Sequence, residues 1–308
     1  MDSCYDVVVI GGGPAGMSAA LVMARALVKG CVINDETPLE KFQDPTYNFI
    51  TNDGLSKCEI LEKSKSDIGR YDNFSYIDDL VEEVGIDIDG YRIRLKSGLS
   101  LRAGKVIFAL GDKLDPSSLG IEGIESIWGR SLFTCPYCHG YEIQGKDVVV
   151  LFQGQADVNL IKLLGIWAGA IRVFVGPGVE PRDVFAAIGR VAEKTDVSEA
   201  RIASVNSESG QLKSLITEEG EVIPADAIFV SDMESHPNHL IDSIYTSKKL
   251  NPMTNRELYE TDQFGRTGLG DVFIVGDAKT RFSTLIGAAH EGFIAGVMVI
   301  NDLLDNPA

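Results

Sequence analysis

The run Asp6-Val7-Val8-Val9-Ile10 is apolar and β-branched behind a single acid, the composition of a strand buried on both faces of a parallel sheet. Three glycines follow, and from Met17 to Val28 the apolar positions return at helical spacing. Cys31-Val32-Ile33 predicts a second strand, ending at Asn34-Asp35. The pattern then recurs: Asp147-Val148-Val149-Val150-Leu151 repeats the first strand at an offset of 141, with a helical stretch and Arg172-Val173-Phe174-Val175 in register behind it. A third apolar run, Asp271 to Val275, ends in Gly276-Asp277, and a helical pattern follows from Leu285 to Leu303. Strands alternating with helices at this spacing predict an α/β fold built from two similar halves.

The turn in the first half is Gly11-Gly12-Gly13-Pro14-Ala15-Gly16. Strand, glycine loop, helix and a second strand ending near an acid form the Rossmann arrangement. There the glycines at positions 11, 13 and 16 serve the tight turn, the approach of a pyrophosphate and the packing of helix on strand. Asn34 and Asp35 stand where a ribose-binding acid belongs. The second half has lost this signature. At the same offset Gly11 becomes Phe152, Gly16 becomes Asp157, and Asn34-Asp35 becomes Val175-Gly176, while Gly13 is retained as Gly154. Phe152 is expected to crowd the turn, and the Asp157 carboxylate to compete with an incoming pyrophosphate at the helix start. The segment from Gly176 to Arg182 supplies no arginine cluster for a 2′-phosphate. The strand end at Gly276-Asp277 suits a ribityl or pyrophosphate group, a weak signal on its own.

Composition narrows the partners. A chain of 308 residues that is 44% apolar can fill two cores. Its net charge of −17 disfavours nucleic acid and anionic headgroups. The run Phe293 to Ile300 is far short of an integral membrane segment, and the N-terminus enters a strand with no signal-like stretch, so a cytoplasmic location is expected. Of five cysteines, only Cys135 and Cys138 lie close together. Cys31 reads as a buried hydrophobe, and Cys4 and Cys58 lack a neighbour in sequence.

The pair sits in Phe133-Thr134-Cys135-Pro136-Tyr137-Cys138-His139-Gly140. A dithiol at this spacing can close and reopen a small ring, and a nucleotide-binding loop in the same chain points to a flavin exchanging electrons with it. Half a zinc site is disfavoured because no second cysteine pair exists to complete a tetrahedron. His139 reads either as an acid or base for thiol proton transfer or as local packing. His236-Pro237-Asn238-His239 reads as a turn. Glu62-Lys63-Ser64-Lys65 reads as a solvated helix face, and His290-Glu291 as either a cofactor contact or a dipole cap.

These residues together resemble the low-molecular-weight thioredoxin reductase family. The likeness rests on Val9 to Gly16, Asn48-Phe49 with Asp53-Gly54, Val106 to Gly111, the Cys135 to Cys138 motif and Val275-Gly276-Asp277. The stretch Trp128 to Glu142, with His139 where typical members carry aspartate, is similar to the branch that includes dithiol oxidases. The resemblance implies two Rossmann-like domains, the second inserted in the first. An FAD domain would span residues 1–116 and 245–308, and a degenerate NAD(P)-type domain with the dithiol residues 117–244. It implies FAD held by Gly11, Gly13, Pro14, Ala15, Gly16, Asn34, Asp35, Asn48, Asp53, Gly276 and Asp277. Cys138 would face the flavin, Cys135 would exchange with a thiol/disulfide protein or small dithiol, and the chain would form a homodimer. Pro136 suits the first turn of a helix that would favour the thiolate.

Departures from the family are Asn34 for the usual acid, Leu110 where threonine is common, and Ser283-Thr284 where an Arg-Gln pair commonly meets the flavin. The lost loop, acid and basic cluster predict no use of NADPH. A related diflavin subgroup places a second FAD in the degenerate domain, and Phe152 and Trp167 offer aromatic surface for one, so more than one FAD per chain is expected. The expected function is an FAD-dependent dithiol/disulfide oxidoreductase with Cys135, Cys138 and His139 as catalytic candidates and electrons flowing from thiol to flavin. The alternatives are an NADPH-dependent thioredoxin reductase and a flavin redox sensor without turnover.

Overall fold

The computed structural model describes residues 3–36, 45–251, 256–280 and 284–305. They fall into two compact units, one built from the N-terminal segment with Asn48–Lys113 and the segment from His236 onward, the other from Leu114–Ser235 with a short piece ending at Tyr47.

The first unit opens with β1 (Ser3–Ile10), α1 (Pro14–Arg25) and β2 (Gly30–Asn34). Next come α2 (Lys57–Ile68), β3 (Phe74–Asp78) and the antiparallel run β4 (Val81–Asp87), β5 (Gly90–Leu95) and β6 (Ser100–Phe108). The helical pattern expected from Met17 begins three residues earlier, because Pro14 can take the first helical position without losing a hydrogen bond. A reciprocal capping box between Ser56 and Glu59 starts α2, worth about 1 kcal/mol.

The second unit contains β7 (Leu132–Phe133), the short α3 (Pro136–His139), β8 (Asp147–Phe152), α4 (Gln155–Leu164), β9 (Ala170–Val175), α5 (Pro181–Ile188) and β10 (Thr195–Ser198). A small antiparallel sheet, β11 (Ile202–Glu208), β12 (Gln211–Thr217) and β13 (Val222–Pro224), precedes β14 (Ala227–Phe229). The main sheet is parallel throughout, in the order β10-β9-β8-β14-β7. Val148, Val150 and Val173 join the core beneath α4 through Ile161 and Leu164, while Val149 and Phe174 pack on the opposite face with Leu215 and Ile228. Two-sided burial explains why β8 lacks polar alternation.

The chain returns to the first unit through α6 (His239–Asp242), β15 (Lys248–Asn251), β16 (Arg256–Tyr259), β17 (Val272–Ile274) and α7 (Leu285–Asp305). Its large sheet runs β3-β2-β1-β6-β5-β4, with β17 also pairing β6 in parallel. Val7, Val9 and Val32 face one core with Met23, Ala295 and Val299 of the helices; Val8, Ile10 and Ile33 face the other. The alternation of β1 between two cores makes every residue from Val7 to Ile10 buried. Ser283 lies outside the described residues; the Thr284 hydroxyl accepts the Gly287 N–H at 3.0 Å in the opening turn of α7.

Candidate functional site

The loop between β1 and α1 is a tightly built cradle. Gly11 has φ of 109°, and a Cβ there would lie 2.3 Å from the Ala109 carbonyl oxygen. A Cβ on Gly16 would lie 1.9 Å from the Gly11 carbonyl oxygen, so these two glycines are demanded by the protein's own backbone. Gly13 differs. A Cβ there would meet none of the described residues within 4 Å. The helix it caps has no side-chain cap and no acid in its first turn, which leaves a bare, positive helix end of the kind that receives a pyrophosphate. A dinucleotide's pyrophosphate, FAD's among them, fits this cradle, which is open above Gly13.

Asn34 is engaged by the loop: its Oδ1 accepts the Gly12 N–H at 2.9 Å, and its Nδ2 donates to the Tyr76 hydroxyl at 3.1 Å. Burial pushes the Tyr76 phenol up, against the lowering effect of that hydrogen bond. The amide accepts from the loop and donates to the phenol at once, where a carboxylate would accept from both. Asp35 follows at the partly buried strand end.

The Gly276-Asp277 turn lies against the same helix start, for a Cβ on Gly276 would come 3.2 Å from the Ala15 Cβ. The Gly276 N–H donates to Glu291 Oε2 at 2.8 Å, and Glu291 also pairs with Lys279 at 3.6 Å. Glu291 thus fixes the turn that carries Asp277, a role hidden in sequence by a separation of 15 residues. His290 lines a cavity of about 300 Å³ together with Glu291, Lys279, Gln263, Phe264 and Ile294. Asn48 and Asp53 are brought to each other, the Asn48 N–H donating to Asp53 Oδ1 at 2.7 Å across a loop in which Asn48 has φ of 63°.

In the second unit Cys135 and Cys138 form a disulfide with Cα atoms 5.3 Å apart. Cys135 is the N-cap of α3, Pro136 takes the first helical position, and the Cys138 N–H points at Cys135 Sγ at 3.1 Å. After reduction that donor favours a thiolate on Cys135. His139 is buried and stacked on Phe133, with ring centroids 4.2 Å apart and planes inclined by 18°. Behind it Gly140 lies under Trp167: a Cβ there would meet the indole at 2.6 Å and the Pro136 carbonyl oxygen at 2.5 Å. The dithiol turn is thereby clamped from behind, while Tyr137 and Tyr141 are 56% and 77% exposed. Cys31 is buried, which pushes its thiol up to about 12, and the free Cys4 and Cys58 are exposed.

Comparison with known proteins agrees with this pairing of cradle and dithiol. The family described as pyridine nucleotide-disulphide oxidoreductase matches residues 5–154. The chain is 25% identical to the thioredoxin reductase tcpT of Claviceps purpurea over 97% of its length and 94% of the relative's. It is also 25% identical, with the same coverage, to the thioredoxin reductase of Bacillus subtilis. This is a thioredoxin reductase-like flavoprotein. Its fold matches that of TrxB from Bacillus anthracis with a TM-score of 0.87 at 24% identity, covering 98% of this chain and 100% of that one. With the Cys135–Cys138 disulfide beside these likenesses, it is a flavin-dependent disulfide oxidoreductase.

The flavoprotein's second loop differs from the first in one decisive respect. The Gln153 and Gly154 N–H groups donate to Asp157 Oδ2 at 2.6 and 2.9 Å, and the Asp157 side chain is fully buried. A carboxylate of the protein sits at the start of α4, the counterpart of the α1 start that Gly13 leaves bare. Phe152 does not crowd the turn; it packs against the core with Trp167, so both rings have work inside the unit. A cavity of about 350 Å³ in this unit lies at the amino ends of β8, β9 and β10, beside Asp147, Ala170 and Asp196. Ligands of doubly wound sheets bind at the carboxyl ends. Among the described residues no helix is long and apolar enough to cross a membrane, and no cluster of His, Cys, Asp and Glu could hold a metal ion.

Proposed function

We propose that the flavoprotein is an FAD-dependent dithiol oxidase that works without NADPH. The observation that carries this reading is the Asp157 carboxylate on the Gln153 and Gly154 amides, which takes these two donors from a nicotinamide cofactor's pyrophosphate and sets a negative charge beside it. Gly11, Gly13, Pro14, Ala15 and Gly16 hold FAD at the first loop, with Asp35, Asn48, Asp53 and Asp277 as further contacts and Asn34 and Gly276 shaping the walls. Bound FAD supplies a two-electron acceptor for the reduced cysteine pair.

The chemistry of the chain's own residues follows from α3. A substrate thiolate attacks Cys135 Sγ, the Cys135–Cys138 bond breaks, and Cys138 leaves as the thiolate. The second substrate thiol then attacks the substrate sulfur of the mixed disulfide, which releases Cys135 and a substrate disulfide. The substrate loses two electrons and the cysteine pair gains them. The Cys138 N–H steadies negative charge on Cys135 as it leaves. His139, next in sequence, is the proton carrier of this reading, held in place by the Phe133 ring. Partners are thiol/disulfide proteins or small dithiols, and the terminal acceptor is oxygen or a quinone. The reading further takes the protein as a cytoplasmic homodimer with one FAD per chain, because the two aromatic rings that favoured a second FAD are absorbed in the core.

Anaerobic titration tests it. Dithiothreitol should bleach the bound flavin and air should restore it, while NADPH at equal concentration should act at least about a hundredfold more slowly, a gap of roughly 3 kcal/mol. Rapid stoichiometric bleaching by NADPH would give the protein the activity named for its thioredoxin reductase relatives. Loss of dithiol-driven turnover with a slow, stoichiometric dithiol response would favour a sensor.

A further inference from the structure

We propose that Asp157 is a built-in substitute for a dinucleotide's pyrophosphate, and that this one carboxylate is the specificity determinant that closes the second half's phosphate site. The claim deepens the NADPH-independent reading above, on which it rests for its biological meaning.

The two halves supply their own control. Gly16 and Asp157 occupy the same place in the repeat, 141 residues apart. In the first half the helix start carries no side-chain cap, its first turn holds no acid, and the space above Gly13 is open. In the second half the retained glycine, Gly154, also has open space above where its Cβ would be. The backbone there still leaves room for a phosphate. What differs is the electrostatics: Asp157 Oδ2 takes both loop amides, at 2.6 and 2.9 Å, and its charge meets the positive end of the ten-residue α4. An arriving phosphate would find the Gln153 and Gly154 amides taken and a like charge beside it.

A second observation points the same way. Asp157 is 0% exposed, and its Oδ1 has no hydrogen-bond partner among the described residues. Asp157 reaches back from the third helical position to the Gly154 amide, as in half of a capping box, and in addition takes the Gln153 amide while burying an oxygen that finds no partner among the described residues, at the desolvation cost of that group. A carboxylate with two amides on one oxygen and an unpaired second oxygen has the shape and charge of part of a phosphate held in such a loop. Gly154 and β8 thus retain a dinucleotide-type scaffold, and Asp157 occupies its anion position.

The experiment uses the FAD-loaded, full-length protein and inorganic pyrophosphate as the probe, read by the amide resonances of Gln153 and Gly154. The unaltered protein should show no shift at millimolar pyrophosphate. Asp157→Ala and Asp157→Ser should bind it at least about tenfold more tightly, with shifts centred on those two amides; serine keeps a short helix-start side chain in case the alanine variant does not fold. A pyrophosphate-induced shift of these amides in the unaltered protein overturns the proposal whatever the variants do, and so does refusal of pyrophosphate by a folded variant. NADPH reduction of the flavin is recorded separately. In the unaltered protein, rapid reduction that pyrophosphate does not oppose defeats the proposed function and leaves the Asp157 assignment standing, and pyrophosphate binding without NADPH reduction defeats the assignment alone.

Discussion

Gly292 of α7 lies so close to Ala15 of α1 that a Cβ on it would come 1.8 Å from the Ala15 carbonyl oxygen. One turn on, a Cβ on Gly296 would meet the Val22 side chain at 2.5 Å. Two small residues four apart let the helices touch backbone to backbone, and Ala15 also borders Gly276. The contact therefore fixes the distance between the loop cradle and the turn that carries Asp277. Gly292→Ala should lose about 1–3 kcal/mol of stability through overpacking and lower FAD retention with it. Urea unfolding with and without FAD checks both, and an unchanged midpoint would remove this contact from the account.

The division of labour between the cysteines is open to trapping. With Cys138→Ser, Cys135 remains to attack an oxidised substrate and hold it as a mixed disulfide, because the Cys138 thiol that displaces the substrate in the reverse of the oxidation is gone. With Cys135→Ser no adduct should form, because the remaining Cys138 is not the residue assigned to exchange with substrate. Mass spectrometry of the intact protein after exposure to the oxidised substrate should find the adduct on the first variant alone. An adduct on Cys138 in the second would reverse the assignment.

Much of the scaffold is legible in the sequence because its signals are local. The β1 run, the Gly11 to Gly16 loop and the Asp147 repeat each declare themselves within a few residues, and the structure forms β1, α1, β8 and α4 there. What escapes sequence reading is long-range pairing. Glu291 holding Gly276, Tyr76 holding Asn34 and Trp167 lying over Gly140 depend on residues 15, 42 and 27 positions away, and no periodicity marks them. Lys65, read as one of a solvated run, pairs with Glu36 and Glu62 and lies 4.8 Å over the Tyr76 ring. Asp157 shows the middle case: its place in the helix start is readable, whereas its burial and its capture of two amides are not.

His139 can be separated from its packing role. Its ring is stacked on Phe133, so His139→Phe keeps an aromatic surface there and removes the ionisable group. If His139 carries protons, this variant should keep its melting temperature within a few degrees and lose about 10–100-fold in dithiol turnover, with the histidine limb gone from the pH profile. A variant with unchanged turnover and profile would leave packing as the whole role of His139.

Acid should loosen the first unit through Asp302. Its carboxylate receives two hydrogen bonds from Arg266, at 2.7 and 2.8 Å, with Lys105 3.4 Å away. Partial burial raises its pKa, and the Arg266 and Lys105 contacts together outweigh this, so the folded value lies below the ordinary 3.8. The sign follows from linkage: stability from this group is present above 3.8 and lost as pH falls through the lower, folded value. Asp302→Asn should cost about 1–3 kcal/mol at neutral pH and flatten the loss of stability below pH 4. An Asn variant as acid-sensitive as the parent would assign the acid response to other carboxylates.

The cofactor's position can be tested by two glycines three residues apart that fail for different reasons. Gly16→Ala puts a methyl group 1.9 Å from the Gly11 carbonyl oxygen, so the damage is to the protein itself and the apoprotein should be destabilised. Gly13→Ala meets none of the described residues within 4 Å, and its φ of −71° suits any side chain. The apoprotein should then melt within about 0.5 kcal/mol of the parent. If the FAD pyrophosphate approaches Gly13 as the bare helix end suggests, that methyl group occupies the space the phosphate needs, and FAD affinity should fall at least about tenfold. Reconstitution of apoprotein with FAD, followed by flavin fluorescence, measures the affinity, and calorimetry of the apoprotein measures the fold. A Gly13→Ala protein that binds FAD as tightly as the parent would place the cofactor elsewhere, whereas a destabilised apoprotein would mean that Gly13, like Gly16, is there for the chain and not for its ligand.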